Sequence, residues 1–279
     1  MALVSSTYGK GRVRVMRINR DGPLHQVREL TIKTMLTGGF DASYTEPDNS
    51  AVVATDTIKN VVNILARENL GLDSEEFCQA VAARFLERYP QVETVTVHGL
   101  ETKWARMTIN GEPHPHSFVL DGNGQPFARV FAIRGATKVA SGISGFTFMK
   151  STQSGWEGYH KDDYTTLAET GDRMCATAME ASWRWQSRPA DYTAANAKIL
   201  QAMLDAFATT YSASVQDSLY RMGTAALAVV PEIIDITLAC PNKHYLPIDL
   251  RSFGLTNENV VFLPTDEPHG QIECTIGRG

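Results

Sequence analysis

Twice along this chain a pair of alternating segments gives way to two helical ones and then to alternation again, and this repeated switch of period constrains the fold most. Apolar residues at every second position bury one face of a strand, whereas apolar residues three and four apart bury one stripe of a helix. Neither kind of segment is complete until something covers it, so antiparallel strands with helices on one face are the simplest solution. In the first copy, Arg12, Arg14 and Arg17 lie between Val13, Val15 and Ile18. After the Asp21-Gly22-Pro23 turn a second stretch runs through Val27, Leu30 and Ile32, which predicts a hairpin. Ile58, Val61, Val62 and Leu65 then fall at helical spacing, and Asp73 with Glu76 makes a capping-box start for a helix carrying Phe77, Val81 and Phe85. Alternation returns at Val92, Thr94, Val95 and Val97 and again from Ala128 to Ile133. The second copy has strands around Phe146 to Met149 and Ala176 to Trp185, then a helix faced by Ile199, Leu200, Met203, Leu204 and Phe207. Ser214 starts another helix bearing Leu219, Met222, Ala226 and Val229, Pro231 ends it, and strands follow at Ile233 to Leu238 and Val260 to Leu263. The expectation is an α+β chain of two tandem ββααββ units offset by roughly 140 residues, 1–140 and 141–279.

Composition narrows the function. Lys and Arg number 26 against 31 Asp and Glu, too acidic overall for the phosphate-neutralising field of a nucleic-acid binder. No apolar run approaches the ~18 residues of a spanning helix, so no membrane partner is expected. Cys78, Cys175, Cys240 and Cys274 stand far apart with no CxxC pair, and Met1 to Ser6 lack the basic and apolar regions of a secretory signal. A reducing, cytoplasmic setting and a small-molecule partner are expected.

The usual cofactor signatures are missing. There is no Walker A loop and no GxGxxG, and Gly142-Ile143-Ser144-Gly145 lacks the full GxSxG of a nucleophile elbow. His114-Pro115-His116 could offer two imidazoles to a metal, with His98 as a further ligand, but the prolines around it argue for a surface turn. Trp104, Trp183 and Trp185 sit in strand-like stretches and read as core. Four odd segments remain. Tyr8-Gly9-Lys10 precedes the first strand, Thr55-Asp56-Thr57 opens a helix as an N-cap would, and Pro241-Asn242-Lys243-His244-Tyr245 reads as a loop between strands. Ser214-Val215-Gln216 begins a helix whose unpaired N–H groups can hold an anion or a carbonyl-rich ring.

Together these segments resemble the urate oxidase (uricase) family. The most specific stretch is Lys150-Ser151-Thr152-Gln153-Ser154, followed by Gly158-Tyr159, Asp162, Tyr164-Thr165-Thr166-Leu167, Glu169-Thr170 and Asp172-Arg173. Tyr8-Gly9-Lys10, Val53-Ala54-Thr55-Asp56-Thr57 with Lys59-Asn60, Ser214-Val215-Gln216 and Pro241-Asn242-Lys243-His244 match the family's other motifs in order. The resemblance implies the tunnelling fold, a homotetramer in which antiparallel sheets close into a tunnel, and active sites at subunit interfaces. It assigns Lys10, Thr55 and Asp56 to one chain and Trp156, Arg173, Val215, Gln216, Asn242 and His244 to its neighbour. The implied reaction oxidises urate with O2 and water to 5-hydroxyisourate and hydrogen peroxide, with neither metal nor cofactor. In it Lys10, Thr55 and His244 relay protons, Asn242 and Thr55 form the O2 and water site, and Thr55, Asp56, Trp156, Arg173, Val215, Gln216 and Asn242 bind substrate. One position departs from the family: its stacking Phe corresponds to Trp156 here, and Tyr159 is a milder change nearby. That departure leaves open a tunnelling-fold enzyme or binding protein for another purine or pterin.

Overall fold

The computed structural model describes residues 2–279 and separates into two compact units. The first comprises the chain up to Gly142 together with Arg188–Thr193, and the second Ile143–Ser187 and Ala194–Gly279.

In the first unit, β1 (Tyr8–Asn19) and β2 (Gln26–Gly38) form the expected hairpin. A short helix α1 (Ala42–Thr45) leads to α2 (Thr55–Glu68) and α3 (Ser74–Arg88). The chain then returns as β3 (Val92–Thr102) antiparallel to β2. A separate hairpin, β4 (Trp104–Ile109) with β5 (Glu112–Leu120), precedes β6 (Gln125–Ile133), which pairs with β3. Both helices cover one sheet face: Leu30, Ile32, Leu36, Val95 and Val97 are fully buried with Ile58, Val62, Phe77, Val81 and Phe85. At about 1.5–3 kcal/mol for each large side chain removed from water, this layer holds the unit together.

The chain enters the second unit along β7 (Ala136–Lys150). It continues as β8 (Cys175–Trp185), α4 (Tyr192–Thr209), α5 (Val215–Val229), β9 (Ile233–Pro247) and β10 (Phe262–Gly277), with β9 paired between β8 and β10. Met179, Ile199, Met203, Leu219, Met222, Ile236 and Leu238 are buried in a second core. The order ββααββ thus occurs twice. No helix among the described residues is long and apolar enough to cross a membrane.

The structure corrects several local expectations. His114 and His116 lie in β5, not in a turn; prolines at alternate positions are tolerated because this two-stranded sheet leaves one N–H edge unpaired. Residues 241–245 continue β9, where Asn242 pairs with Thr177 and Lys243 with Ala176. The last strand is Phe262–Gly277, because Ile272, Cys274 and Ile276 supply its buried face. Asp73 stands at the N-cap of α3, yet its carboxylate caps nothing there; it accepts from the Tyr192 and Thr193 N–H groups and pairs with Arg28 at 3.2 Å. Arg17 is buried, unlike Arg12 and Arg14, because strict alternation from Val13 and Val15 carries it inward. Its guanidinium lies 4.4 Å from the centre of the Phe77 ring, donates to the Asn69 carbonyl at 2.8 Å, and has its pKa lowered by burial to about 10.

A single irregularity decides which way Lys10 faces. The β1–β2 register slips between Lys10 and Val13, where β1 holds one extra residue and Arg12 takes a φ of 57°. Without that bulge, alternation from Val13 would place Lys10 on the open face. With it, Lys10 stands opposite Thr34, on the face the helices cover. Gly9 sits in a close approach beside it, where a Cβ would collide with the Thr34 carbonyl oxygen and come within 2.8 Å of the Met35 Cα. Gly9→Ala is therefore expected to destabilise the protein by about 1–3 kcal/mol, read as a lower midpoint in urea unfolding. An unchanged midpoint would mean that the close approach is not enforced.

Candidate active site

The first unit gathers Lys10, Thr55 and Asp56. The Val53 N–H donates to the Tyr8 hydroxyl at 2.8 Å, fastening the start of β1 to the segment that leads into α2. Tyr8 is itself held edge-on against Phe40, with ring centroids 4.9 Å apart. Thr55 and Asp56 are the first two residues of α2, but the N-cap is Ala54, which offers no side-chain cap. The capping role expected of the Thr55-Asp56-Thr57 segment is thus not taken up. Among the described residues no hydrogen bond occupies the exposed Thr55 hydroxyl. The Asp56 carboxylate receives the Lys59 ammonium and, at 3.1 Å, the Asn60 amide. The Lys59 hydrogen bond holds the Asp56 carboxyl below the usual range, and the Lys10 charge adds to the same effect. Lys10 thus lies within electrostatic reach of the Asp56 carboxylate, which follows the free Thr55 hydroxyl at the N-terminus of α2.

The remaining six lie in the second unit. Residues 151–174 form a loop tied down by backbone bonds between its own distant parts. The Trp156 N–H donates to Thr170 at 2.7 Å, the Thr170 N–H returns to Trp156 at 3.1 Å, and the Arg173 N–H reaches the Ser154 carbonyl at 2.8 Å. The half-buried Trp156 ring stacks on Tyr159 with centroids 5.5 Å apart and planes 10° from parallel. The Tyr159 hydroxyl is anchored on the Leu167 carbonyl at 2.5 Å. The Arg173 guanidinium lies 5.9 Å from the centre of the Trp156 ring, and its Nε is buried with no partner among the described residues. A buried charged donor without an acceptor costs free energy unless something fills it.

Helix α5 starts with Ser214, whose hydroxyl accepts from the Asp217 N–H at 3.0 Å. That cap leaves Val215 and Gln216 as the first-turn N–H groups the helix cannot satisfy. Asn242 and His244 lie two apart on β9, continuing the side on which Leu238 and Cys240 are buried against the helices. Val215 and Asn242 line one narrow, apolar cavity with Phe148, Phe207 and Cys240. The structure thus places Val215 with Asn242, and Trp156 with Arg173, in the second unit, and Lys10, Thr55 and Asp56 in the first. Sequence reading missed Tyr211 and gave Thr170 no role beyond its place in a motif: Thr170 pairs with Trp156, and Tyr211 fills the space over Gly155 and donates to the Gly171 carbonyl at 2.9 Å. Both belong to loops without periodicity, so pattern carried no signal for them. Away from these residues, the His114 and His116 rings meet edge to face with centroids 4.7 Å apart, and His25 lies 6.0 Å from His116. Among the described residues no group of three or more His, Cys, Asp or Glu is arranged to hold a metal ion.

Comparison with known proteins covers both units. The chain matches the family described as Uricase over residues 6–131 and 139–273. It is 37% identical over 293 residues to a uricase of Cyberlindnera jadinii, spanning 99% of this chain and 97% of that one. It is 36% identical over 293 residues to a uricase of Aspergillus flavus, with 99% and 97% covered. It superposes on the crystal structure of uricase from Arthrobacter globiformis with a TM-score of 0.93 at 37% identity, covering 100% of this chain and 95% of that one.

The Asp56 carboxyl has a testable pH signature. Its folded-state pKa lies below the unfolded value, so its pairing stabilises the fold above the unfolded carboxylate pKa and is lost as pH falls through the lower folded one. The group is exposed, so the increment is small. Melting temperature measured across the acid range should fall less steeply for Asp56→Asn than for the native chain, and parallel curves would refute the assignment.

Proposed function

The chain belongs to the uricase family, and from that membership we propose how its residues carry out the family's reaction. It is an oxidoreductase: urate, O2 and water give 5-hydroxyisourate and hydrogen peroxide. The match of both units to one family favours urate over the other purine and pterin substrates of the superfold.

The orphaned Nε of Arg173 carries the assignment of the site, because a planar fork of donors beside an aromatic face suits a flat, anionic ring. Urate stacks on Trp156, its carbonyl and ring-nitrogen edge held by Arg173, the Gln216 amide and the free Val215 N–H. Lys10, acting through the Thr55 hydroxyl and with His244, draws a proton from the bound monoanion. The dianion transfers two electrons to O2 held over the ring by Asn242 and Thr55, and the reduced oxygen leaves with two protons as hydrogen peroxide. Water then adds at the oxidised carbon from the same position. Asp56, held by Lys59, completes the substrate contacts. The chain's own residues supply binding, position and proton transfer, and we assign no cofactor.

The two groups of residues lie in different units, and we propose that a complete site forms where the first unit of one chain meets the second unit of another in a homotetramer. The test is complementation. Lys10→Met should lose about 10²–10⁴-fold in kcat with a smaller change in KM, and Arg173→Met should lose substrate binding. Each alone is inactive, but subunits mixed, unfolded and reassembled should regain urate loss with matching peroxide, since some interfaces then pair two intact halves. A mixture as inactive as its parents would place each site within one chain. Trp156→Phe should keep turnover and alter only KM; a collapse of kcat would give the indole a role beyond stacking.

A further inference from the structure

The open face of the first unit's sheet carries a cross-strand row of basic residues. Lys33 on β2 stands opposite His98 on β3, and His98 stands opposite Arg129 on β6. Their chain neighbours Ile32, Val97, Ala128 and Val130 are buried under the helices, so these three side chains project from the other face. Neighbouring strands lie about 4.8 Å apart, which confines the row to a span of roughly 10 Å. Like charges set side by side oppose strand pairing.

Elsewhere on this face the sheet balances its charge, as Arg14 does with Glu29 at 2.6 Å. The other Glu29 oxygen is taken by the Trp104 indole at 2.9 Å. Around the row there is no such relief. One step along each strand on the same face stand Thr31, Met35, Thr96, Leu100, Phe127 and Phe131, all uncharged. Among the described residues none of Lys33, His98 and Arg129 makes an ion pair. The His98 Nε2 is buried without a hydrogen-bond partner. Phe127 supports two of the three, the imidazole edge-on at 5.7 Å between centroids and the Arg129 guanidinium 4.8 Å from the ring centre. Burial, then the charges of Arg129 and Lys33, lower the pKa of His98, so the three groups lie within electrostatic reach of one another.

We propose that this row is a binding site for a small oxyanion of the phosphate or sulfate class. The Arg129 fork and the Lys33 ammonium supply charge from either side, and His98 supplies a ring nitrogen for which the protein offers no partner. The inference is independent of the urate site, which uses none of these residues.

Inorganic phosphate is the probe, titrated by calorimetry and by thermal unfolding at ionic strength held constant with chloride. Phosphate should bind saturably and raise the melting temperature. Binding should weaken about tenfold or more in Lys33→Met and in Arg129→Met. Both positions are exposed and keep an apolar stem, and an unchanged circular dichroism spectrum checks the fold. Arg173→Met, which removes the cation of the urate site, should leave phosphate binding intact. Affinity unchanged in both row variants would overturn the proposal. So would loss of binding in Arg173→Met, or stabilisation that chloride reproduces.

Discussion

A helix advances about 1.5 Å per residue and a strand about 3.3 Å, so elements of equal residue number cannot cover one another. The strand β9 and the helix α5 each hold 15 residues, giving about 50 Å of strand under about 22 Å of helix. Where the helix runs out, the same strand face continues with Asn242 and His244 in place of Leu238 and Cys240. The first unit obeys the same geometry at its other end: β1 reaches past the N-terminus of α2, and Lys10 occupies the overhang. Lys10, Asn242 and His244 can stand on the core side of these sheets because they lie in such overhangs, next to helix N-termini whose N–H groups are free. The chemistry is therefore placed by a mismatch in rise between two kinds of secondary structure.

The two units share one plan and divide the labour. The first sets cationic and hydroxyl groups at the start of its earlier helix, with Tyr8 tying strand to helix through Val53. The second leaves first-turn N–H groups free at the start of its later helix and adds a long loop that holds Trp156, the cradle and platform of the proposed site. Neither set alone has both a ring clamp and a proton acceptor, which is why the proposed site draws on both kinds of unit.

Much of this was legible in the sequence because the core elements are strongly periodic. Ile58, Val62 and Leu65 mark α2, and Ile199, Met203 and Phe207 mark α4, since each helix has a single apolar stripe to bury. Site residues were legible only through family motifs, for a lysine after a glycine or an asparagine after a proline has no periodicity of its own. The misreadings have physical causes. Pro113 and Pro115 suggest a break, but a proline is harmless wherever a strand's N–H has no partner to lose, as in this two-stranded sheet. Asp73 has the spacing of a capping box, yet Tyr192 and Thr193, more than a hundred residues on, compete for its carboxylate. The bulge that re-aims Lys10 depends on Arg12 adopting a left-handed φ, a choice that local propensity disfavours and only the finished sheet explains.

The unfilled Nε of Arg173 has a consequence for the protein's economy in the cell. A buried donor without a protein acceptor weakens a fold, and a ring bound there in the proposed site enters the folding equilibrium as a reagent. At a hundred times its dissociation constant such a ligand stabilises the native state by about 2.7 kcal/mol, a sizeable part of the margin that separates folded from unfolded chains. Lifetime against proteolysis would then follow substrate supply, so that the protein persists while there is something for it to bind and is cleared sooner when there is not.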